Sequence, residues 1–208
     1  MRRVRLAAAS SGGFSLPELL VVMLIIALLA RIAIPTYLSV ARGAGDTTVQ
    51  QNLQSTLVGA KVYFDNPNTE TFTGINGGAQ YASSLTQQNL GLSFLTSNSA
   101  SHNYNEVSVD VPSTATPAGS VLVLASWSPA TNTCWGIVDV EQTQSGAVME
   151  PASKTGVGTY YWGITETSGK ITVNGCTAAN WVTTIAPLMT ASSGGWAEGG
   201  WPPAALSK

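Results

Sequence analysis

Charge is scarce in this chain, and so are the residues that catalytic and metal chemistry draw on. Only 10% of its 208 residues are charged, His102 is the single histidine, and Cys134 and Cys176 are the only cysteines. A nucleophile, a base and an orienting acid cannot be assembled around one histidine, and no phosphate-cradling Gly-Lys motif occurs, so no enzymatic activity and no cofactor are expected. The cysteines lack a Cys-x-x-Cys spacing and a neighbouring histidine, which removes a zinc centre or a dithiol redox site. Acids in the second half are scattered: Glu106 and Asp110, Asp139 and Glu141, Glu150, Glu166 and Glu198. None reaches the density of a calcium loop. Asp139 with Glu141, two apart and so on one face of a strand, is the best of weak metal candidates, and a solvated acidic face is the simpler reading. No metal is expected.

Basic charge is also unevenly placed. The chain carries nine Lys and Arg against eleven Asp and Glu, and three of the nine are Arg2, Arg3 and Arg5. Without those three the balance is six basic against eleven acidic residues, a net charge of −5. A surface of that sign has no general attraction for nucleic acid phosphates or an anionic membrane face, so no nucleic acid partner is expected.

What the chain does have is apolar length near one end. Leu19 to Ala30 is an unbroken apolar run, with Glu18 and Pro17 directly before it and three arginines but no acid among residues 1–13. The positive-inside rule leaves that end in the cytoplasm and sends the rest outward. Phe14 to Pro35 is 22 residues, about 33 Å of helix, which matches a hydrocarbon core of about 30 Å. Glu18 then lies near the inner interface, and Arg31 near the outer one, where its stem can snorkel. Pro17, which lacks an N–H and suits a first helical turn, sets the helix start nearby. Gly12, Gly13 and Phe14 remain as an extended strip open to a protease. A cut after Gly13 would place a new amine about 6 Å along a helix from Glu18. An ordinary secretory signal peptide and a plain membrane anchor are the competing readings, and neither has a use for Gly-Phe before a glutamate at the apolar border.

Gly13-Phe14-Ser15-Leu16-Pro17-Glu18, followed by the apolar run and by Pro35, resembles the class III signal of type IV pilins and of the pseudopilins of type II secretion. The resemblance covers about residues 8–64. It implies that a prepilin peptidase cuts between Gly13 and Phe14, removes residues 1–13 as a leader, and N-methylates Phe14. It implies that Glu18 takes part in subunit docking and that Pro35 interrupts the helix. It also implies a helical homo-oligomeric filament built at a pilus assembly platform, with the subunit held singly in the inner or cytoplasmic membrane beforehand and displayed at the cell surface afterwards. Two positions depart from the pattern: Pro17 stands where an aliphatic residue is commoner, and Arg31 interrupts a segment that is usually all apolar. The fold implied is α+β, a long N-terminal helix packed on a small antiparallel sheet.

Once trimmed, such a segment would assemble by register. A charge in an apolar medium costs about 2.5–3.5 kcal/mol unless paired, so a subunit whose Glu18 meets the Phe14 amine of its neighbour is favoured over a misaligned one. Arg31 is either a second register element or a snorkelling anchor. Large apolar side chains between Phe14 and Ile34 would supply the cohesion, roughly 1.5–3 kcal/mol for each one removed from water. Pro35 should free the Arg31 carbonyl, and Gly43 and Gly45 should each weaken the helix by about 1 kcal/mol.

Beyond Pro35, Tyr37, Val40, Ala41, Ala44, Val49, Leu53, Leu57, Ala60 and Phe64 recur at helical spacing, predicting an amphipathic helix over residues 36–64. Asp65-Asn66-Pro67-Asn68 stops it. Residues 65–191 read as a globular β domain: a long connection with one helical turn around Leu85 to Asn89, strands over Glu106–Val111, Ser120–Trp127 and Cys134–Glu141, and a hairpin of Tyr160–Glu166 with Lys170–Val173. Four or five antiparallel strands are expected. In an exported chain the two cysteines read as one disulfide, the alternative being two buried free thiols, and pilins often carry such a bridge. Trp127, Trp135, Trp162 and Trp181 are core candidates. In the Gly-, Trp- and Pro-rich tail, residues 192–208, Trp196 and Trp201 either fold back on the sheet or offer an aromatic surface for sugar. Three functions follow: a type IV pilus subunit, a pseudopilin of a secretion or DNA-uptake machine, or an anchored carbohydrate-binding domain.

Overall fold

A computed structural model describes residues 14–67, 70–75, 85, 91–144, 156–166, 169, 171–180, 195–203 and 205. The chain divides into two compact units, residues 1–40 and 41–208. Helix α1 (Leu16–Phe64) is followed by strands β1 (Ser93–Leu95), β2 (Glu106–Asp110), β3 (Val121–Ser128), β4 (Thr133–Val140), β5 (Gly158–Thr165) and β6 (Trp196–Glu198). The strands form one sheet in sequence order. The architecture is α+β, as expected, but the sheet has six strands and is mixed, because β1 runs parallel to β2. Of the helical turn expected around Leu85 to Asn89, Leu85 is helical and buried, and residues 86–89 lie outside the described residues.

In β3 and β4 every residue is buried, because both faces of the sheet are covered. On one face Val49, Leu53, Leu57 and Ala60 of α1 meet Val107, Val109, Leu122, Leu124, Trp135 and Ile137. On the other, Val121, Val123, Ala125, Cys134, Val138, Trp162 and Ile164 pack with Ala115, Ile171, Cys176 and Ala178. The period-2 alternation of the strands sorts these residues between the two cores. Two tryptophans cross the β4–β5 pair in opposite senses. Trp162 lies over Gly136 and Trp135 over Gly163, each glycine being its partner in register. A β-carbon at Gly136 would stand 2.2 Å from the Trp162 ring, and one at Gly163 would stand 2.4 Å from the Trp135 ring, so only glycine fits beneath these rings.

Four expectations change. Pro35 does not end or interrupt α1; it sits inside the helix. Its missing N–H cannot serve the Arg31 carbonyl, while the Thr36 hydroxyl donates to the carbonyls of Ile32 at 3.1 Å and Ala33 at 2.9 Å. The buried stripe begins at Val49, not Tyr37: Tyr37 and Val40 are each 72% exposed and Ala41 and Ala44 are exposed too. Gly45 is more than a weak point in the helix. A β-carbon there would lie 2.7 Å from the Ala130 methyl and 3.2 Å from the Tyr104 ring, beside an Asp46 carboxylate that accepts the Thr131 hydroxyl at 2.5 Å.

The fourth change concerns the hairpin. The Gly169 N–H donates to the Glu166 carbonyl, while residues 167 and 168 of the expected turn lie outside the described residues. The chain that follows does not return along β5; residues 173–175 form a 3-10 turn, and β5 pairs with β6 instead. Ile171 is buried in the second core, and Cys176 is bonded to Cys134 with the two Cα atoms 5.5 Å apart. Burial and the disulfide hold this segment against the sheet face, where it cannot also serve as an edge strand. Its backbone is pinned further by the Ser101 N–H on the Cys176 carbonyl and the Ala178 N–H on the Ser108 hydroxyl. Closing 42 residues of chain is worth about 4 kcal/mol in the loop-entropy model.

These contacts separate two glycines that the sequence treats alike. Gly43→Ala, with open space around it, should stabilise the chain by about 1 kcal/mol. Gly45→Ala should destabilise it by about 2 kcal/mol through overpacking. Urea denaturation of the detergent-solubilised variants measures both, and shifts of the same sign would contradict this packing.

Candidate functional site

The N-terminus of α1 is built by a reciprocal cap. Ser15 stands just before the helix, Pro17 in its first turn, and Glu18 at the third helical position. The Glu18 carboxylate oxygen Oε2 accepts the Ser15 backbone N–H at 2.8 Å and the Ser15 hydroxyl at 2.7 Å, while the Glu18 N–H donates to Ser15 Oγ at 3.4 Å. This is a capping box, and its signal, Ser-x-x-Glu before an apolar run, was readable in the sequence but missed. Glu18 therefore has partners in its own chain before any neighbour arrives. Among the described residues its second oxygen, Oε1, accepts no hydrogen bond.

From Leu19 to Val40 the helix has no buried side. Phe14, Leu16, Leu19, Leu20, Met23, Leu24, Ile25, Ile26, Leu28, Leu29, Ile32 and Ile34 all lie open, and so does Arg31. The helix is long and apolar enough to cross a membrane. A helix apolar all round is stable only where lipid or protein covers it. Gly13 lies outside the described residues, so the junction with Phe14 is described from Phe14 onward.

The family model of the prokaryotic N-terminal methylation motif matches residues 9–33. The chain carries the class III signal of type IV pilins and pseudopilins. That motif supports a class that is structural rather than enzymatic, processed by a prepilin peptidase and assembled into filaments. It also fits membrane anchoring through the apolar helix before assembly. No curated protein and no solved structure matches the chain.

A second group of polar side chains lies at the other end of α1. Asp139 and Glu141 do not form a solvated acidic face: Asp139 is 1% exposed on the helix-facing side of β4. Lys61, in the last turn of α1, places Nζ 3.2 Å from Asp139 Oδ2 and 2.7 Å from Glu141 Oε1, and the Thr159 hydroxyl donates to Asp139 Oδ1 at 2.5 Å. Burial raises the Asp139 carboxyl from 3.8 to about 6, against the pull of Thr159 and Lys61. Burial pushes Glu141 up as well, but hydrogen bonds from Lys61 and Asp139 prevail and hold it below the usual range. Burial lowers Lys61, yet its contacts with Glu141 and Asp139 outweigh this and leave it above its ordinary value. On acidification Asp139 is thus the first of the two acids to take a proton, at about pH 6, while Glu141 stays ionised. Among the described residues no group of three metal-binding side chains occurs.

The tail tryptophans differ in what is described. Trp201 meets Trp135 edge-on with ring centroids 5.7 Å apart and Tyr161 at 4.9 Å, so it folds back on the helix-facing core. Trp196 lies in β6, and Trp181 and Glu150 fall outside the described residues.

The ion cluster gives a pH dependence with a definite sign. The folded chain keeps a proton on Asp139 up to about pH 6, whereas the unfolded chain releases it near 3.8. Stability from this group therefore falls as pH rises through that window. Glu141, held low, acts in the opposite sense, losing its contribution on acidification. Tyr161, raised by burial and by the Asp139 charge, also faces the cluster. In chain whose Lys61 and Asp139 stand as an ion pair, Lys61→Ala removes the cation that faces both acids, and at about pH 7.5 should cost about 2 kcal/mol, less than for a fully buried pair because Lys61 is partly exposed. Below pH 6 the deficit should shrink as Asp139 takes up its proton. Urea melts of wild type and variant at several pH values test this, and an equal deficit throughout would contradict it.

Proposed function

We propose that this chain is the structural subunit of a type IV pilus, anchored by residues 14–35, trimmed between Gly13 and Phe14, methylated at Phe14 and polymerised through α1. The observation that carries the reading is the methylation motif on residues 9–33 continuing into a helix whose apolar side chains are exposed all round. Lipid covers such a surface before assembly, and parallel helices of other subunits cover it afterwards.

The capping box refines the role of Glu18. Ser15 holds Oε2 and fixes the direction of the carboxylate, which leaves Oε1 to accept the Phe14 ammonium of an adjoining subunit. Pairing there removes the charge penalty only in the correct axial register. Arg31 serves as the outer-interface anchor of the unassembled subunit, and the helix through Pro35 stays continuous. Residues 41–208 form the displayed domain.

Mass spectrometry of the mature chain should find methylated phenylalanine at Phe14, whereas an intact Met1 would overturn the reading. Electron microscopy of sheared surfaces should show filaments containing this chain; their absence from correctly processed cells would favour a pseudopilin. Glu18→Ala should reduce filament yield at least about tenfold, equivalent to about 1.4 kcal/mol per docking step. Ser15→Ala should reduce it less, since the charge remains and only its positioning is lost.

A further inference from the structure

The Lys61, Asp139, Glu141 and Thr159 cluster contains more than an ion pair requires. An amine and a carboxyl group from two different elements are held 3.2 Å apart. The carboxyl group is buried, and its oxygen Oδ2 is the one that faces the Lys61 amine. A second carboxylate lies 2.7 Å from the amine nitrogen, and a hydroxyl donates to the other oxygen of Asp139. We propose that Lys61 and Asp139 condense to an intramolecular amide, with Glu141 moving the protons, so that α1 is covalently tied to β4.

Each side chain has a defined part. Fixed neighbours turn a bimolecular condensation into a step with a high effective concentration of one partner. Asp139 sits in register between Leu122 of β3 and Thr159 of β5, and Lys61 is carried by a helix whose buried residues Leu57 and Ala60 pack on the same sheet face, so neither group is free to drift. Burial of Asp139 favours the neutral acid, which has a hydroxyl to lose. Glu141 stands at hydrogen-bond distance from Nζ, where a general base belongs. Thr159 donates to Oδ1, the oxygen on which charge develops.

The step balances without any other reactant. Glu141 takes one proton from the Lys61 ammonium, and the freed amine attacks Cγ of protonated Asp139, forming the C–N bond while charge moves to Oδ1. Glu141 returns that proton to the Oδ2 hydroxyl, which leaves as water when the Cγ–Oδ2 bond breaks. The carbonyl re-forms, and Glu141 takes the last surplus proton from nitrogen and releases it to solvent. An ammonium and a carboxylic acid have become an amide, one water and a released proton, with no change of oxidation state.

The product would join the last turn of α1 to a central strand, on the opposite sheet face from the disulfide that joins β4 to the 3-10 segment. Tension entering the domain along α1 would then reach the sheet through a covalent bond.

Intact-mass measurement of the reduced, full-length mature chain tests this directly, followed by peptide mapping. Most of the wild-type chain should be lighter by one water than its sequence, with the Lys61 and Asp139 peptides recovered as a single branched species and no tryptic cleavage after Lys61. Lys61→Arg keeps a cation at the position, and Glu141→Gln keeps both condensing groups; both variants should have the full mass of their sequences. Wild-type chain that carries its disulfide and still shows separate Lys61 and Asp139 peptides at full mass would overturn the proposal. So would a water loss mapped to any other residue, or an equal yield of cross-link in Glu141→Gln.

Discussion

An apolar helix with no covered side dominates the behaviour of this protein. Along residues 14–40 the side chains of α1 are open, and burial of such surface is the strongest favourable term available to a chain in water. Such a helix is stable only in a bilayer or against other protein. At its start, the reciprocal Ser15–Glu18 cap supplies part of what the carboxylate loses on leaving water.

The second unit, residues 41–208, meets a different requirement. A domain poor in charge and rich in glycine has few ion pairs to hold it, so it depends on a sheet covered on both faces. α1 covers one face, and the segment around Ile171, Cys176 and Ala178 covers the other. The disulfide fastens that second layer, and the Lys61 cluster fastens the first. Paired Trp and Gly residues lock β4 to β5 between them. Both fastenings involve β4, which makes this strand the junction of the domain.

Much of this was legible in order along the chain. The apolar run, the acid at its border and the Gly-Phe junction are local features, and local features survive without tertiary context. Strands β2, β3 and β4 were found within a residue or two, because alternation and β-branched content act through near neighbours. The capping box is equally local, carried by Ser15 and Glu18 three residues apart, although Glu18 at the apolar border also reads as a charge in need of a distant partner. Pro35 was expected to interrupt a helix that in fact passes through it. The hairpin after β5 failed for a different reason: turn chemistry does not decide where the next segment goes.

The sequence by itself determined the apolar segment, the position of its charged border, the helical stripe from Val49 to Ala60 and the central strands, since each depends on spacing within a few residues. Only the tertiary structure decided that β5 pairs with β6, that Asp139 is buried against Lys61, and that Gly45 is needed for close approach to Ala130. These depend on which residues far apart in the chain share one small volume. That competition is settled by the simultaneous packing of both sheet faces, and no single stretch of sequence contains it.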